Sequence, residues 1–361
     1  NSYGRFVTTV TYPYDEQTQS WTSTSSYPNT KLKPERTKSW EVGLDARILN
    51  DISLNLTYYR SNTYNQTFYA DLSLSSGYSN IPIQSGNIMN EGLEMSLGYN
   101  KQWKDFSFNT NYTLTWNKNR VKRLADGVYN YATGQPIQMP ELSPLTYGHT
   151  DARLILRVGG SMGDVYGQRL LKRDLNGYIL NEEGVGLAME NKETYLGSIL
   201  PKMNMGWSLG FGYKGVNLGM TFTGRFGGIV ISETQSVLDA AGVSKVSADV
   251  RDAGGVQINQ SKVSAQTYYQ TIQGTAAYYT YSATNVRLGE LSLSYTLPKK
   301  WFDNKVGMTV GLVGKNLWMI YCKAPFDPEL TTSAASNFYQ GFDAYMLPST
   351  RNFGFNVKFQ F

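Results

Sequence analysis

The 361-residue chain carries a net charge of +5 and no basic run interleaved with aromatics, which argues against a nucleic-acid groove. Its single cysteine and single histidine (Cys322 and His149) exclude an intrachain disulfide and any two-histidine metal site. A mean hydropathy of -0.38, with no apolar run near the roughly 18 residues of a membrane helix, excludes a helical membrane protein but not a β-barrel, which hides its apolar half at alternate positions.

Alternation recurs along the chain. Residues 3–12 are a candidate first strand. Trp40, Val42, Leu44, Ala46 and Ile48 share one parity, turn at Asn50-Asp51, and continue as Ile52, Leu54, Leu56 and Tyr58 with Ser53, Asn55 and Thr57 between them. Successive strand side chains point to opposite faces, so this reads as a hairpin with one greasy and one polar face. A second hairpin runs through Leu93, Met95, Leu97 and Tyr99, turns at Trp103-Lys104-Asp105, and leaves through Phe106, Phe108, Thr110, Tyr112, Leu114 and Trp116. The opposite face of that last strand is wholly polar, from Ser107 to Asn117. Trp207 to Tyr213 and Val216 to Phe222 form a third hairpin around Gly215, and Leu291 to Leu297 with Val306 to Leu312 a fourth. The final strand sets Phe353, Phe355, Val357, Phe359 and Phe361 against Asn352, Gly354, Asn356, Lys358 and Gln360.

The links between hairpins, at about 61–87, 118–203, 227–284 and 317–349, far exceed the roughly 15 residues usual in compact soluble domains. Outer-membrane barrels combine short periplasmic turns with long external loops. Counting back antiparallel from a last strand that ends in the periplasm places every short turn inside and every long link outside. Strands of about 10–13 residues, with aromatics near their ends, suit a tilted bilayer crossing. The pattern therefore predicts an all-β transmembrane barrel arc. A soluble β-sandwich would need a second sheet to cover the aromatic faces.

Three motifs invite chemistry. Gly159-Gly160-Ser161-Met162-Gly163 matches a nucleophile elbow, but that arrangement needs a histidine after the serine, and His149 precedes it. Asp174-Leu175-Asn176-Gly177 brings its glycine too early for an EF-hand loop and reads as a polar turn. Cys322 reads as a small packed residue. No catalytic residue, cofactor or metal is expected. Loop aromatics among amide and hydroxyl residues suit ligands with one apolar face and many hydrogen-bonding groups, so Trp21, Tyr129, Tyr131, Tyr268, Tyr269, Tyr279, Asn337 and Tyr339 are candidate substrate contacts. The competing reading is that these rings pack the loops together.

An ordered set of segments resembles the SusC/RagA-like TonB-dependent outer-membrane transporters of Bacteroidetes. It begins with Leu32-Lys33-Pro34-Glu35 and Glu41-Val42-Gly43-Leu44-Asp45, then Asn90-Glu91-Gly92-Leu93-Glu94. Val158-Gly159-Gly160 through Tyr166-Gly167 and Leu196-Gly197-Ser198-Ile199-Leu200-Pro201 follow. Val286-Arg287 through Pro298, Gly314-Lys315-Asn316-Leu317, Phe326-Asp327-Pro328-Glu329 and Leu347-Pro348 complete it. The acidic stretch of many relatives is reduced here to Asp174-Leu175-Asn176-Gly177, a departure from the pattern that leaves an ion site there an open question.

The resemblance implies a barrel of about 22 strands around an N-terminal plug. On that basis the whole chain, 1–361, is expected to be the C-terminal arc of about ten strands, with the plug and earlier strands on another segment. It also implies energised import, TonB acting through that N-terminal segment, a SusD-like surface lipoprotein over the loops, and contact with outer-membrane lipid. The implied cargo is an oligosaccharide, with an oligopeptide as the alternative. Asn352, Gly354, Val357, Phe359 and Phe361 resemble the C-terminal signal for barrel assembly. A self-contained small barrel, acting as adhesin or enzyme, is the reading from a different class.

Overall fold

The computed structural model describes residues 14–15, 20–21, 33–71, 80–124, 141–182, 186–330, 332 and 337–361. The candidate strand at 3–12 lies outside them. Among the described residues the dominant element is a nine-stranded sheet in which strands adjacent in sequence pair antiparallel. Its strands are β1 (Arg36–Ile48), β2 (Ile52–Asp71), β3 (Asn80–Trp103), β4 (Phe106–Arg123) and β5 (Met203–Tyr213). They continue with β6 (Val216–Phe226), β7 (Asn285–Leu297), β8 (Gly307–Cys322) and β9 (Asn352–Gln360). This meander is an arc of a transmembrane β-barrel, and no helix among the described residues is long and apolar enough to cross a membrane.

Register turns the alternation of single strands into continuous surfaces. Phe108, Phe211, Leu218, Leu293, Leu312 and Phe355 are successive cross-strand partners and make one apolar row. Asn111, Ser208, Thr221, Glu290, Lys315 and Asn352 make a polar row on the other face. The apolar face is uncovered among the described residues, with Leu312 59% and Phe355 68% exposed. A sheet with this face in water would present an aggregation surface, and in hydrocarbon the same face is at its lowest free energy. Thr110 is a polar residue on that face, and its hydroxyl accepts the Trp207 indole N–H at 2.9 Å, so neither group meets lipid unpaired.

Tight turns close one end. Lys214 and Gly215 between β5 and β6 both have positive φ (46° and 89°), the mirror-image turn whose twist matches a hairpin. A Cβ on Gly215 would come within 2.7 Å of the Thr296 carbonyl oxygen, so the position requires glycine.

The strands near the first long link differ from the expectation. β2 and β3 run to 20 and 24 residues and leave only 72–79 between them, where a link over 61–87 was expected. The cause is Asn65, whose φ of 58° inserts a bulge with register shifts on both sides of Gln66. An extra residue flips the parity of everything beyond it, so the alternation is interrupted while the pairing continues.

The other links fold into a packed module at the opposite end from the turns. Met189–Ser198, Asp164–Leu171, Arg153–Arg157 and Glu141–Thr146 form a four-stranded sheet in that order. Ile229–Ser232 pairs with Thr280–Ser282 and, parallel, with Phe342–Asp343. Three eight-residue helices, α1 (Glu233–Ala240), α2 (Lys245–Asp252) and α3 (Ala265–Ile272), each start on a serine (Ser232, Ser244, Ser264) whose hydroxyl accepts a first-turn N–H. Phe68, Ile88, Val121 and Leu124 from the ends of β2–β4 share one core with Tyr147, Leu154, Leu156, Ile199, Ile231 and Phe342. The module is thus fused to the wall by burial as well as by chain connection.

Candidate functional site

The polar face of β4–β6 is short-chained and nearly uncharged. β4 contributes Ser107, Asn109, Asn111, Thr113, Thr115 and Asn117. Opposite them β5 supplies Gly212, Gly210, Ser208, Gly206 and Asn204, and β6 supplies Asn217, Gly219, Thr221, Thr223 and Arg225. Between these positions Arg225 is the sole charge. A groove of about 220 Å³ runs between Ser107, Asn109, Asn217, Ser292 and Ser294. Hydroxyls and amides there offer donors and acceptors without a net field, as a surface over which a polar solute exchanges hydrogen bonds needs.

Charge is concentrated where the wall meets the module. Arg287 on β7 donates from both terminal nitrogens to Asp327, at 2.8 and 3.0 Å, and lies 3.3 Å from Glu329. Asn285 completes the cluster: its Oδ1 accepts from Arg287 and its Nδ2 donates to Glu329 at 3.1 Å. The Arg287 and Asp327 side chains are only 11% and 8% exposed. Burial pushes the Asp327 carboxyl upward, but the Arg287 guanidinium and the Glu329 N–H outweigh it and hold the group below the usual carboxylate range. This clasp ties 327–329 to the inner face of the wall.

Beside it, Asn204 and Arg225 are register partners on β5 and β6. With Pro201, Glu329 and Gln340 they line a cavity of about 380 Å³. Arg225 is fixed by donating from Nη2 to the Ile199 carbonyl at 2.8 Å. Its Nε is buried and meets no acceptor among the described residues.

The expected contacts fall in several places. Tyr269 and Tyr279 are 7% and 2% exposed inside a second core with Leu171, Leu187, Ile258 and Ile272, and Tyr268 stacks edge-on against Tyr269. Tyr339 packs edge-on to Tyr147 at 6.1 Å. Trp21 belongs to the short strand Ser20–Trp21, and Asn337 opens the 3-10 turn Asn337–Tyr339. Tyr129 and Tyr131 lie outside the described residues. The structure therefore gathers Tyr268, Tyr269 and Tyr279 into packing and does not bring the eight residues to one surface. The Arg225 cavity carries no motif of its own, its signal being an arginine on the polar parity of a wall strand, whereas Arg287, Asp327 and Glu329 of the clasp lie in two of the segments that carry the resemblance.

The remaining motifs are structural. Asp164 accepts the Ser161 N–H at 2.8 Å, and the Ser161 hydroxyl faces Asn119 and Ser198 with no imidazole among its partners. Burial raises the Asp164 carboxyl despite the bonds from Ser161 and Tyr195, while burial and Asp164 push the Tyr195 phenol up to about 12. Asp174 accepts the N–H groups of Asn176 and Tyr178 and closes a turn. The Cys322 thiol donates to the Ala324 carbonyl. Among the described residues no group of three His, Cys, Asp or Glu side chains is placed to hold a metal. On β9, Val357 and Phe359 lie in the apolar row, Asn352 and Gly354 lie in the polar row, and Phe361 follows the strand.

Comparison with known proteins gives a consistent neighbourhood. The profile of a family described as TonB dependent receptor-like, beta-barrel, matches residues 2–317. TonB-dependent receptor P3 of Formosa agariphila is 26% identical over 365 aligned positions, covering 93% of this chain and 35% of the relative. TonB-dependent receptor SusC of Bacteroides thetaiotaomicron is 28% identical over 119 positions, covering 32% of this chain and 12% of the relative. The chain spans about a third of the first of these. Among solved structures, the RagAB peptide transporter matches with a TM-score of 0.67 at 19% identity, over 96% of this chain and 37% of that one. The RagAB peptide importer in its open-open state matches with a TM-score of 0.65 at 18% identity, over 93% of this chain and 36% of that one.

Proposed function

Because this chain belongs to the family of TonB-dependent receptor-like β-barrels, of the SusC/RagA-like kind and hence of the outer membrane, we propose that it forms part of a transporter importing oligosaccharides. The relatives are described as receptors and transporters rather than enzymes. In this reading the nine strands are one arc of a larger wall that an N-terminal segment completes, supplying a plug and the contact with TonB. A SusD-like lipoprotein covers the external module and hands cargo to the lumen. The wall faces outer-membrane lipid with its apolar rows.

The observation that carries the sugar assignment is the inner face of β4–β6, where Arg225 is the sole charge among serine, threonine, asparagine and glycine. Neutral oligosaccharides present hydroxyls throughout, and a face of serine, threonine, asparagine and glycine can exchange hydrogen bonds with each ring as it passes. A mixed peptide carries charged termini and side chains that such a face leaves unpaired. The oligopeptide reading is kept because the RagAB neighbours are described as a peptide importer and transporter.

Trp21, Tyr129, Tyr131, Asn337 and Tyr339 remain the proposed external contacts, and Tyr268, Tyr269 and Tyr279 serve the packing of the module's second core. Asn352, Gly354, Val357, Phe359 and Phe361 are the proposed assembly signal.

Native mass spectrometry of the complex, gently solubilised from outer membranes, tests this reading. A lipoprotein subunit and retained cargo whose masses step in sugar units are expected. Retained heterogeneous peptides would move the assignment to oligopeptides, and a barrel with neither partner nor cargo would contradict it.

A further inference from the structure

We propose that the cavity between Arg225, Asn204 and Glu329 is a subsite for a pair of neighbouring sugar hydroxyls, placed where cargo passes from the external module to the inner face of the wall. The inference rests on the import reading above and assigns a place and a chemistry to it.

Three observations converge. The volume, about 380 Å³, accommodates a sugar ring, and the cavity lies between the polar ends of β5 and β6 and the segments holding Glu329 and Gln340. The Arg225 Nε is buried without an acceptor among the described residues, although Nη2 is anchored on Ile199 and the guanidinium is fixed in place. A guanidinium carries five N–H donors and the Ile199 carbonyl takes one, so the Arg225 side chain lining the cavity has others to offer a group held there. Glu329 lines the same cavity while Arg287 and Asn285 hold its carboxylate. The site therefore offers a fixed donor and a fixed acceptor side by side.

The charges select the class. Arg225 and Arg287 balance Asp327 and Glu329, so the cluster has no net charge with which to draw in an anion or a cation. A carboxylate moving toward Arg225 would also approach Glu329. A neutral group that accepts from one neighbour and donates to the other fits both, as vicinal hydroxyls of a sugar do. Asn204 adds an amide that can serve either role, and Pro201 supplies an apolar flank of the kind a sugar ring face packs against.

The test uses the full transporter with its lipoprotein and measures binding of two probes: a pool of neutral oligosaccharides and a tryptic casein digest. Arg225→Gln, Arg225→Lys and Asn204→Ala are compared with wild type, each first checked for heat-modifiable migration and retention of the lipoprotein. Loss of a charged hydrogen bond weakens binding about tenfold, so Arg225→Gln and Arg225→Lys are both expected to lower oligosaccharide affinity by that order. The lysine result separates directional donation from simple charge attraction, which lysine would retain. Asn204→Ala, the mildest change, keeps the test open if an arginine variant does not assemble, and a several-fold loss is expected. Wild-type oligosaccharide affinity in every assembled variant would overturn the subsite while leaving the import reading intact. Binding of the digest alone, weakened by the same variants, would overturn the sugar assignment, and binding of neither pool by wild type would overturn the import reading itself.

Discussion

Replacing Asp327 with alanine removes two short hydrogen bonds, at 2.8 and 3.0 Å, from a guanidinium that is almost fully enclosed. Breaking a buried ion pair from one side typically costs about 3–5 kcal/mol, because the surviving charge has no compensation. Here Arg287 keeps the Asn285 amide oxygen and Glu329, so the loss is placed lower, at about 2–3 kcal/mol. The clasp joins 327–329 to a wall strand that has its own ladder on both sides, so the loss appears as local opening of the loop and not as unfolding of the barrel. An opening equilibrium shifted by that amount speeds exchange of protected amides by roughly 30- to 150-fold. Hydrogen exchange with mass spectrometry on the solubilised complex should show this in peptides covering 323–330, with β5 and β6 unchanged. Arg287→Met combined with Asp327→Ala should be less damaging than the sum of the two, since neither charge is then stranded. Unchanged exchange at 323–330 in Asp327→Ala, or strict additivity in the double variant, would refute the claim that this pair holds the loop to the wall.

Acid should act on the same clasp. The folded Asp327 is depressed below its unfolded value, so its contribution is present above the ordinary carboxylate range and lost as pH falls through the folded value; proteolysis within 323–330 should increase below about pH 4 and not between pH 6 and 8. Asp151 accepts the N–H groups of Gln168, Arg169 and Ala276 and so joins two links, and Asp151→Ala should destabilise the module by about 2–4 kcal/mol, measured as earlier thermal loss of protease resistance. Phe355→Lys places a charge in the apolar row and should lower the folded fraction in lipid vesicles by about 2–4 kcal/mol, whereas Asn356→Lys, one residue along on the polar face, should fold as wild type. Gly215→Val should slip or open the β5–β6 hairpin, seen as loss of the heat-modifiable band.

The wall was legible in the sequence because a membrane arc needs alternation, and β4 from Phe106 to Trp116 shows it with Thr110 as the one polar residue on the apolar parity. The alternation failed at Asn65, where one inserted residue reverses parity while pairing continues to Asp71. The external module was hidden for a different reason. Its helices are eight residues long and its strands mostly two to six, too short for a period to stand out, and each helix is announced only by a serine cap. The segments Val286-Arg287 and Phe326-Asp327-Pro328-Glu329 stood out for their resemblance, but their pairing as an ion cluster is a tertiary fact. The loop tyrosines show the same limit, since a ring that stacks on cargo and a ring that fills a core have the same composition around them. Burial of Tyr269 and Tyr279 distinguishes the two outcomes where sequence does not.

Energy-coupled uptake distinguishes a TonB-driven importer from a passive barrel. Cells carrying the full transporter and its lipoprotein would be given the labelled oligosaccharide recovered from the native complex, with and without TonB. Accumulation should stop when TonB is deleted, while surface binding persists. Equal accumulation in the two strains, or uptake that continues after the transporter is removed, would contradict TonB-driven import.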